Sequence, residues 1–218
     1  MRNPFILFIW QMLKNLFSFK YFAENMRSPT NGVLGYISSL IMTQGNKISE
    51  EILAARLSIK TTDVVVELGP GSGWGLMEAA KKTPKRLIGV EISPRFRKEL
   101  SYLQLPVKLE VYGEDAKDMS TFLNSESVDK VFGLNVVYFL DPLEVYTQEL
   151  YRVMRKGGIG IFGCKFNLVN QAHSEFFKNK DKDKIMSVLK DAGFTVDIQY
   201  VTAHDFRANF HAIKFEKT

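Results

Sequence analysis

An acidic residue followed by alternate glycines is the feature of this 218-residue chain best suited to bind a ligand. Glu67 is followed by Gly69, Gly71 and Gly73. Glycine lacks a Cβ, so it adopts positive φ and lets a ligand approach the backbone closely. A helix pattern begins at about Trp74, and a helix N-terminus offers unpaired N–H groups and the positive end of a dipole. A glycine turn before a helix therefore predicts a binding site for a polar or anionic part of a ligand.

The spacing of these glycines differs from two common phosphate-binding patterns. The dinucleotide fingerprint Gly-x-Gly-x-x-Gly, counted from Gly69, needs its third glycine where this chain has Trp74. The P-loop needs Gly-Lys-Ser/Thr after its glycines, and that triplet does not follow. The loop taken alone leaves two alternatives open, a structural turn without a ligand and a nucleotide site of another kind.

The order Glu67-x-Gly69-x-Gly71-x-Gly73 after a buried strand resembles the first motif of the class I S-adenosylmethionine-dependent methyltransferases. Within that family the chain is similar to the small-molecule, type 11-like enzymes. The resemblance implies S-adenosylmethionine as cofactor and implies that these four residues bind it. This cofactor has no phosphate to clamp, and a carboxylate such as Glu67 balances the charge of its ammonium and sulfonium groups.

Glu91 ends a second buried-strand pattern, which runs from Arg86 to Glu91. A carboxylate at the tip of the second strand is placed to accept hydrogen bonds from both ribose hydroxyls, as in dinucleotide-binding sheets. The sequence Gly-Val-Glu-Ile-Ser here resembles the second motif of the family, so Glu91 and Ile92 are predicted to bind the cofactor. The alternative is a strand-end acid that is merely solvated.

A third strand pattern, Val107 to Tyr112, leads into a stretch that contains Glu114, Asp115 and Ala116. The family resemblance implies that an acidic residue at this place accepts a hydrogen bond from the adenine amino group. Asp115, which is followed by the small Ala116, fits that role best, and Glu114 is the neighbouring alternative. The structural alternative for Asp115 is a helix N-cap, a position that aspartate favours.

Asn135 and Tyr138 are the candidate catalytic residues. Asn135 ends a fourth strand pattern, Val128 to Asn135, and Tyr138 follows it, where the family resemblance implies that the chain passes the transferable methyl group. An asparagine amide or a tyrosine hydroxyl there could orient a substrate, although core packing is an alternative for Tyr138.

Asn46 lies in a Met-x-x-Gly-Asn stretch that resembles one preceding the core of bacterial small-molecule methyltransferases. It is predicted to approach the cofactor or substrate, with a plain turn as the alternative.

Methyl transfer from a sulfonium is an in-line displacement at carbon, so the protein mainly has to align the reactants and exclude water. A base is needed only when the nucleophile arrives protonated. The sequence singles out no lysine or histidine as that base. His173 follows the fifth strand pattern, but a lone histidine is more often structural or exposed.

These residues must be positioned by strand and helix patterns that alternate about five times and end in two strands. The order predicts an α/β fold, a Rossmann-like seven-stranded, mostly parallel sheet with helices on both faces and an antiparallel last strand. The length suits one such domain, taken as residues 45–218. The later elements predicted are a helix at Pro142–Met154, a turn at Arg155–Gly158, strands at Ile159–Cys164, Phe194–Val201 and Phe210–Glu216, a helix at Ile185–Ala192, and a solvated charged run at Lys178–Lys184.

Residues 1–44 are predicted to form an N-terminal amphipathic helix, at residues 4–22, and a connector. The helix has a narrow polar face and many aromatic residues, and its unbroken apolar run is too short to span a bilayer. Three interpretations remain open. The segment lies in a membrane interface, or it is a targeting or secretory leader, or it packs over the core or the active site.

Composition bounds the function further. The net charge is +5, and the first 27 residues hold most of the excess, so no basic face for nucleic acid is expected. Cys164 is the single cysteine, which excludes an intramolecular disulfide and a cysteine metal cluster. We expect an intracellular protein, cytoplasmic or peripheral on a membrane, with a mitochondrial location as an alternative.

The resulting hypothesis is a methyltransferase for a small, apolar or membrane-associated acceptor, either a metabolite or a lipid. A protein that binds S-adenosylmethionine without catalysis, as a partner or regulatory subunit, is the second hypothesis. An NAD(P)-linked enzyme is the third, and Trp74 disfavours it.

Overall fold

A computed structural model describes residues 45–171 and 175–218 of the chain. The predicted N-terminal helix at residues 4–22, its connector and His173 lie outside the described residues. Among the residues described, no helix is both long and apolar enough to cross a membrane.

The described residues form seven strands and six helices. The strands are β1 Val64–Leu68, β2 Arg86–Val90, β3 Leu109–Tyr112, β4 Val128–Leu134, β5 Met154–Cys164, β6 Phe194–Val201 and β7 Phe210–Lys217. The helices are α1 at 45–55, α2 Trp74–Ala80, α3 Pro94–Leu100, α4 Leu143–Val153, α5 Phe166–Gln171 and α6 Lys182–Asp191, with short 3-10 turns at Val137–Phe139 and Phe206–Ala208.

The strands form one sheet in the order β3-β2-β1-β4-β5-β7-β6. Neighbouring strands are parallel from β3 to β5, whereas β7 runs antiparallel to both β5 and β6. This arrangement confirms the predicted α/β fold with its antiparallel last strand. The strand order reverses between β1 and β4, and ligands of open α/β sheets bind at the carboxyl ends of the strands at such a reversal.

Both faces of the sheet are covered, which explains the apolar, β-branched strands. All five residues of β1 are buried. One apolar cluster joins a sheet face to α4 and α6, and the other joins the opposite face to α1, α2 and α3. Each fully buried leucine or valine in such a core is worth roughly 1.5–3 kcal/mol.

Close packing of α2 against the sheet depends on Gly75. A Cβ at this position would lie 2.3 Å from Glu67 Oε1 and 2.8 Å from the Phe132 ring. A larger residue would therefore push α2 away from β1 and β4. Gly75 therefore allows α2 and the glycine loop before it to lie close to β1.

Two predicted segments differ from the structure. The predicted turn at Arg155–Gly158 is a bulge inside β5, because Val128 pairs with Met154 and the next pair is Lys130 with Ile159. The run predicted as solvated, Lys178–Lys184, contains a buried residue, Asn179. The Asn179 side chain donates hydrogen bonds to the carbonyls of Val137 (2.8 Å) and Leu140 (2.7 Å), so it fastens this loop to the 3-10 turn after β4.

Candidate active site

A cavity opens at the carboxyl ends of the parallel strands, at the strand-order reversal. Its wall has two parts with different chemistry. The glycine-loop side consists of Gly69, Gly71, Glu91, Ile92, Asp115 and Ala116. The aromatic side consists of Tyr138, Phe139, Tyr146, Leu168, Val169 and Phe177. Asn46, Glu50, Asn135 and Lys165 also line the cavity.

The glycine loop turns tightly because Gly69 (φ 62°) and Gly71 (φ 53°) adopt left-handed backbone conformations. The Gly71 N–H donates a 3.0 Å hydrogen bond to Glu91 Oε2. The loop after β1 is thus tied to the carboxylate after β2, and both line the cavity.

Glu91 is buried, with 4% of its surface exposed, so it is not the solvated acid of the alternative interpretation. Its Oε1 accepts a 2.8 Å hydrogen bond from the Ser93 N–H. Burial raises the pKa of Glu91, while the Ser93 and Gly71 amides oppose that rise. Arg97 donates to the carbonyls of Glu91 (2.9 Å) and Ile92 (2.8 Å) and so holds the backbone that carries the carboxylate.

Three residues predicted to bind the cofactor do not line the cavity. Glu67 is 1% exposed and lies beneath the start of α2, since its Oε1 faces Gly75. Gly73 (φ 84°) faces α3, where an added Cβ would lie 2.7 Å from Leu100 and from Leu103, so its glycine serves packing. Glu114 is exposed, whereas its neighbours Asp115 and Ala116 line the cavity.

Asp115 lies where the adenine-binding prediction places it, and it is not the N-cap of a helix, because no helix follows it before β4. It lines the cavity, as the adenine-binding prediction requires. Its Oδ1 accepts a 3.2 Å hydrogen bond from the Lys117 N–H within a turn. That contact orients the carboxylate.

Glu50, on α1, is a site residue that the sequence did not single out. Its Oε2 is buried without a hydrogen-bond partner among the described residues, and the same holds for Glu67 Oε2. Burial raises the pKa of Glu50 to about 8, and burial together with the charges of Glu50 and Glu91 raises the pKa of Glu67. Buried carboxylates that repel one another are stabilised by a cation. The acidic cluster therefore fits a ligand with positive charge.

Asn135, directly after β4, makes hydrogen bonds to residues of β5, of the segment after β5 and of α1. It adopts a left-handed conformation (φ 57°), and its N–H donates to the Gly163 carbonyl (2.7 Å). The side-chain Oδ1 accepts from the Lys165 N–H (3.2 Å), while Nδ2 donates to Asn46 Oδ1 (3.3 Å). The structure thus brings together Asn46 and Asn135, which the sequence singled out separately, and both line the cavity.

Tyr138 lines the cavity and also belongs to the core, with 1% of its surface exposed. Its ring packs edge-on against Phe166 and Phe177, and its hydroxyl lies 3.4 Å from Asn135 Oδ1, to which it donates. Burial raises the pKa of Tyr138 far above its ordinary value. The hydroxyl is therefore a hydrogen-bond donor at neutral pH and not a base.

Lys165 directly follows β5 and is a second site residue that the sequence did not single out. It is 5% exposed, and its Nζ donates to the Gly45 carbonyl (2.9 Å) and to Asn46 Oδ1 (3.1 Å). Burial lowers the pKa of Lys165 to about 8, although Glu50 and Asp205 oppose that change. The signal that could have identified it is its position at the carboxyl end of a parallel strand.

Within the described part of the chain, no cluster of side chains suits a metal ion.

Comparisons with known proteins agree with this geometry. The family model of the methyltransferase domain matches residues 66–162, which span β1 to β5. No curated protein sequence matches the chain. The family match and the fold confirm the resemblance to the class I S-adenosylmethionine-dependent methyltransferases, and they support S-adenosylmethionine as the cofactor.

Solved structures with the same fold are distant in sequence. A chain from the Haloferax volcanii complex with the methyltransferase activator Trm112 has 18% identity and a TM-score of 0.70, covering 83% of this chain and 94% of that one. A Thermotoga maritima S-adenosylmethionine-dependent methyltransferase has 23% identity and a TM-score of 0.60, covering 84% and 95%. Phosphoethanolamine N-methyltransferase 2 of Haemonchus contortus, in complex with S-adenosylmethionine, has 15% identity and a TM-score of 0.59, covering 78% and 52%.

The residues present fit this cofactor on structural grounds. The buried Glu91 carboxylate lines the cavity at the end of β2, where the ribose-binding prediction requires an acceptor, and the buried oxygens of Glu50 and Glu67 suit positive charge nearby. Gly69 and Gly71 leave the backbone open where a ligand has to approach it.

Proposed function

We propose that this protein is an S-adenosylmethionine-dependent methyltransferase that acts on a small, largely apolar acceptor by in-line displacement. The observation that supports the proposal is one cavity whose glycine-loop side meets an aromatic side, with Asn135 between them. A reaction between a polar cofactor and an apolar acceptor needs such a composite pocket.

Each part of the wall has a distinct task in this proposal. When bound, S-adenosylmethionine supplies an already activated methyl group. Glu91 and Asp115 bind and orient the polar cofactor, and Asn135 and Tyr138 offer hydrogen-bonding groups where the two sides meet. The apolar residues of the aromatic side exclude water and hold the acceptor in line. Positioning of this kind can contribute roughly 7–11 kcal/mol to catalysis.

The proposal of an apolar acceptor rests on the composition of the aromatic side. Its six residues carry no formal charge, and four of them are aromatic. Leu168 is 61% exposed at the surface next to the cavity, so an apolar acceptor has an apolar residue to contact before it enters. Delivery of the acceptor from a membrane, with residues 4–22 in contact with the bilayer, remains part of the proposal. It predicts that deletion of residues 1–22 weakens liposome binding, and unchanged binding would contradict it.

The test of the proposed function is a pair of measurements on the full chain. Calorimetric titration with S-adenosylhomocysteine should show micromolar binding, and incubation of methyl-labelled S-adenosylmethionine with fractionated apolar metabolites should transfer the label. Binding without transfer to any fraction would favour the non-catalytic partner instead. Binding of NAD(H) or NADP(H) together with no binding of S-adenosylhomocysteine would favour the NAD(P)-linked alternative.

A further inference from the structure

Lys165 is the cationic residue among the described residues that line the cavity, and its position is unusual for a lysine. It follows β5 directly, it is buried, and its backbone N–H is held by Asn135, the candidate catalytic residue. Lysine is almost never fully buried unless it is paired. The structure gives Lys165 hydrogen-bond acceptors, but it shows no carboxylate of the described residues within salt-bridge distance.

The hydrogen bonds of Lys165 fix the direction of its amine. A neutral amine has two N–H donors and one lone pair. The acceptors at Gly45 O and Asn46 Oδ1 engage two donors, so in the neutral form the lone pair is directed away from both. Asn46 also accepts from Asn135, which places the amine beside the residues where the two sides of the cavity meet.

We propose that Lys165 is the general base of the reaction and that the acceptor is an apolar phenol whose hydroxyl proton it removes. This inference rests on the proposed methyltransferase function. The acceptor O–H bond breaks and its proton moves to Nζ of Lys165. The freed oxygen lone pair forms the new bond to the methyl carbon, and the electron pair of the broken carbon–sulfur bond stays on sulfur.

The choice of a phenol follows from the cavity wall and from acidity. A flat ring fits a wall that contains Tyr138, Phe139, Tyr146 and Phe177, since aromatic pairs favour edge-on and offset contacts. The lowered pKa of Lys165, about 8, leaves neutral amine available near neutral pH. A phenol has a pKa of about 10, so the equilibrium constant for proton transfer from it to this amine is about one in a hundred. For an aliphatic hydroxyl, whose acidity is near that of water, the same equilibrium constant would be about a millionfold smaller.

The titratable groups that face Lys165 come from three elements. Glu50 on α1 and Asp205 before the second 3-10 turn both favour the ammonium form, whereas burial favours the neutral amine and is the larger influence. Tyr138, on the turn after β4, stays protonated throughout the neutral range because burial raises its pKa. Glu50, whose own pKa is raised to about 8, also changes its charge near pH 8. Lys165 is distinguished from it by the hydrogen bonds that place its amine beside Asn46 and Asn135.

The experiment uses 2-naphthol as a probe, because its neutral and ionised forms absorb at different wavelengths. It is titrated into the full chain saturated with S-adenosylhomocysteine. Bound 2-naphthol should ionise at a lower pH than in water in the wild type, and it should stay neutral in Lys165→Met. Methyl transfer to 2-naphthol should fall about a hundredfold in kcat in Lys165→Met with little change in KM, which is the contribution expected from a positioned base.

Two further variants separate proton transfer from structure and from charge. Lys165→Arg keeps a cation but cannot accept a proton, so its rate should stay low and should lose the rise towards pH 8 seen in the wild type. Lys217→Met is the matched control for loss of a buried lysine. Lys217 donates to the carbonyls of Tyr151 and Met154 and does not line the cavity, so the rate should be unchanged.

The outcomes distinguish the two proposals. Failure of the wild type to bind S-adenosylhomocysteine would overturn the proposed methyltransferase function itself. Normal cofactor binding with no binding of 2-naphthol would overturn the phenol class. Transfer to 2-naphthol at wild-type rate in Lys165→Met, or a loss of rate matched by an equal loss of S-adenosylhomocysteine affinity, would overturn the role of Lys165 as base.

Discussion

The glycine-loop side and the aromatic side of the cavity are assembled in different ways. The glycine-loop side comes from one stretch, residues 69–116, in which each contribution follows one of three neighbouring strands. The aromatic side collects residues from the 3-10 turn after β4, from α4, from α5 and from the loop that carries Phe177. The first is built from short turns held by backbone hydrogen bonds, and the second from side chains that pack across sequence distance.

The two sides also differ in charge, and this difference suits their proposed ligands. Glu91 and Asp115 belong to the glycine-loop side, and the acidic cluster of Glu50 and Glu67 lies beside it. The six residues of the aromatic side are uncharged, and Lys165 stands where the sides meet. A constant polar cofactor can be bound by a local, repeated motif, whereas an acceptor has to be recognised by a surface that differs between enzymes.

Truncation of Phe177 should give the largest effect and should be confined to the aromatic side. Phe177 is 3% exposed and packs against Tyr138 and Phe139 at ring-centroid distances of 6.1 and 5.3 Å. Phe177→Ala should lower the free energy of unfolding by about 3–4 kcal/mol, as buried phenylalanines do, measured by urea denaturation. The affinity for S-adenosylhomocysteine should change less than threefold.

The control for Phe177 is Phe206→Ala, since Phe206 is 80% exposed and its loss should leave stability nearly unchanged. A loss of cofactor affinity in Phe177→Ala as large as its loss of stability would show that the two sides are one cooperative unit. The glycine-loop side and the aromatic side would then not be independent parts of the cavity.

Substitution of Glu91 should give the complementary result on the glycine-loop side. Glu91→Ala removes the acceptors of the Gly71 and Ser93 amides and the carboxylate proposed for the ribose. Hydrogen bonds to a charged group are worth about 1.5–3 kcal/mol each, so S-adenosylhomocysteine should bind about 100-fold more weakly by calorimetry.

Glu91→Gln serves as the matched variant, because it keeps the shape and one acceptor oxygen and should lose less affinity. Equal affinity in wild type and Glu91→Ala would remove Glu91 from the cofactor site. Acceptor binding in the loaded protein should be retained in either variant once S-adenosylhomocysteine is saturating.

Asn135 joins the two sides, and two substitutions there separate its backbone from its side chain. Asn135 has φ 57°, a conformation that costs an alanine about 1–2 kcal/mol and costs a glycine very little. Asn135→Ala should therefore be about 1 kcal/mol less stable than Asn135→Gly in urea denaturation. Both variants lose the hydrogen bonds to Asn46 and Lys165, so both should lose activity equally. Higher activity in one of them would show that the side-chain contacts do not account for the loss.

The smallest expected effect is a pH dependence of stability from the acidic cluster. The pKa of Glu50 is raised from its ordinary 4.5 to about 8 in the folded protein. Between these values the folded state keeps a proton that the unfolded state has lost, so stability falls as pH rises from about 4.5 to 8. Glu67, whose pKa is also raised, acts in the same direction. Lys165, with its pKa lowered, acts only above about 8 and with the opposite sign.

Urea denaturation at pH 5 and pH 8 measures this effect. The wild type should therefore have a lower free energy of unfolding at pH 8 than at pH 5. Glu50→Gln should reduce the loss, while the exposed Glu114→Gln should leave it unchanged. An equal loss in wild type and Glu50→Gln would place the pH dependence outside the acidic cluster.

The sequence by itself determined the fold and most of the glycine-loop side. Alternating strand and helix patterns predicted the order of elements, because burial on both faces of a parallel sheet requires apolar, β-branched strands. Alternate glycines and a strand-end acid predicted Gly69, Gly71 and Glu91 as site residues, and the family resemblance implied Asp115; all four line the cavity. These signals are local, so a short motif carries them.

Tertiary structure alone decided which acids and which polar side chains meet in the cavity. Glu67 and Gly73 belong to the glycine motif, yet packing against α2 and α3 turns them away from the cavity. No local motif links Glu50, Lys165 and Phe177, because they are far apart in the sequence. They meet at the cavity because α1, the end of β5 and the loop held by Asn179 pack around the carboxyl ends of the strands. Periodicity gives the face on which a residue lies, but the distances between side chains of different elements, and the burial that shifts their pKa values, exist only once those elements have packed together.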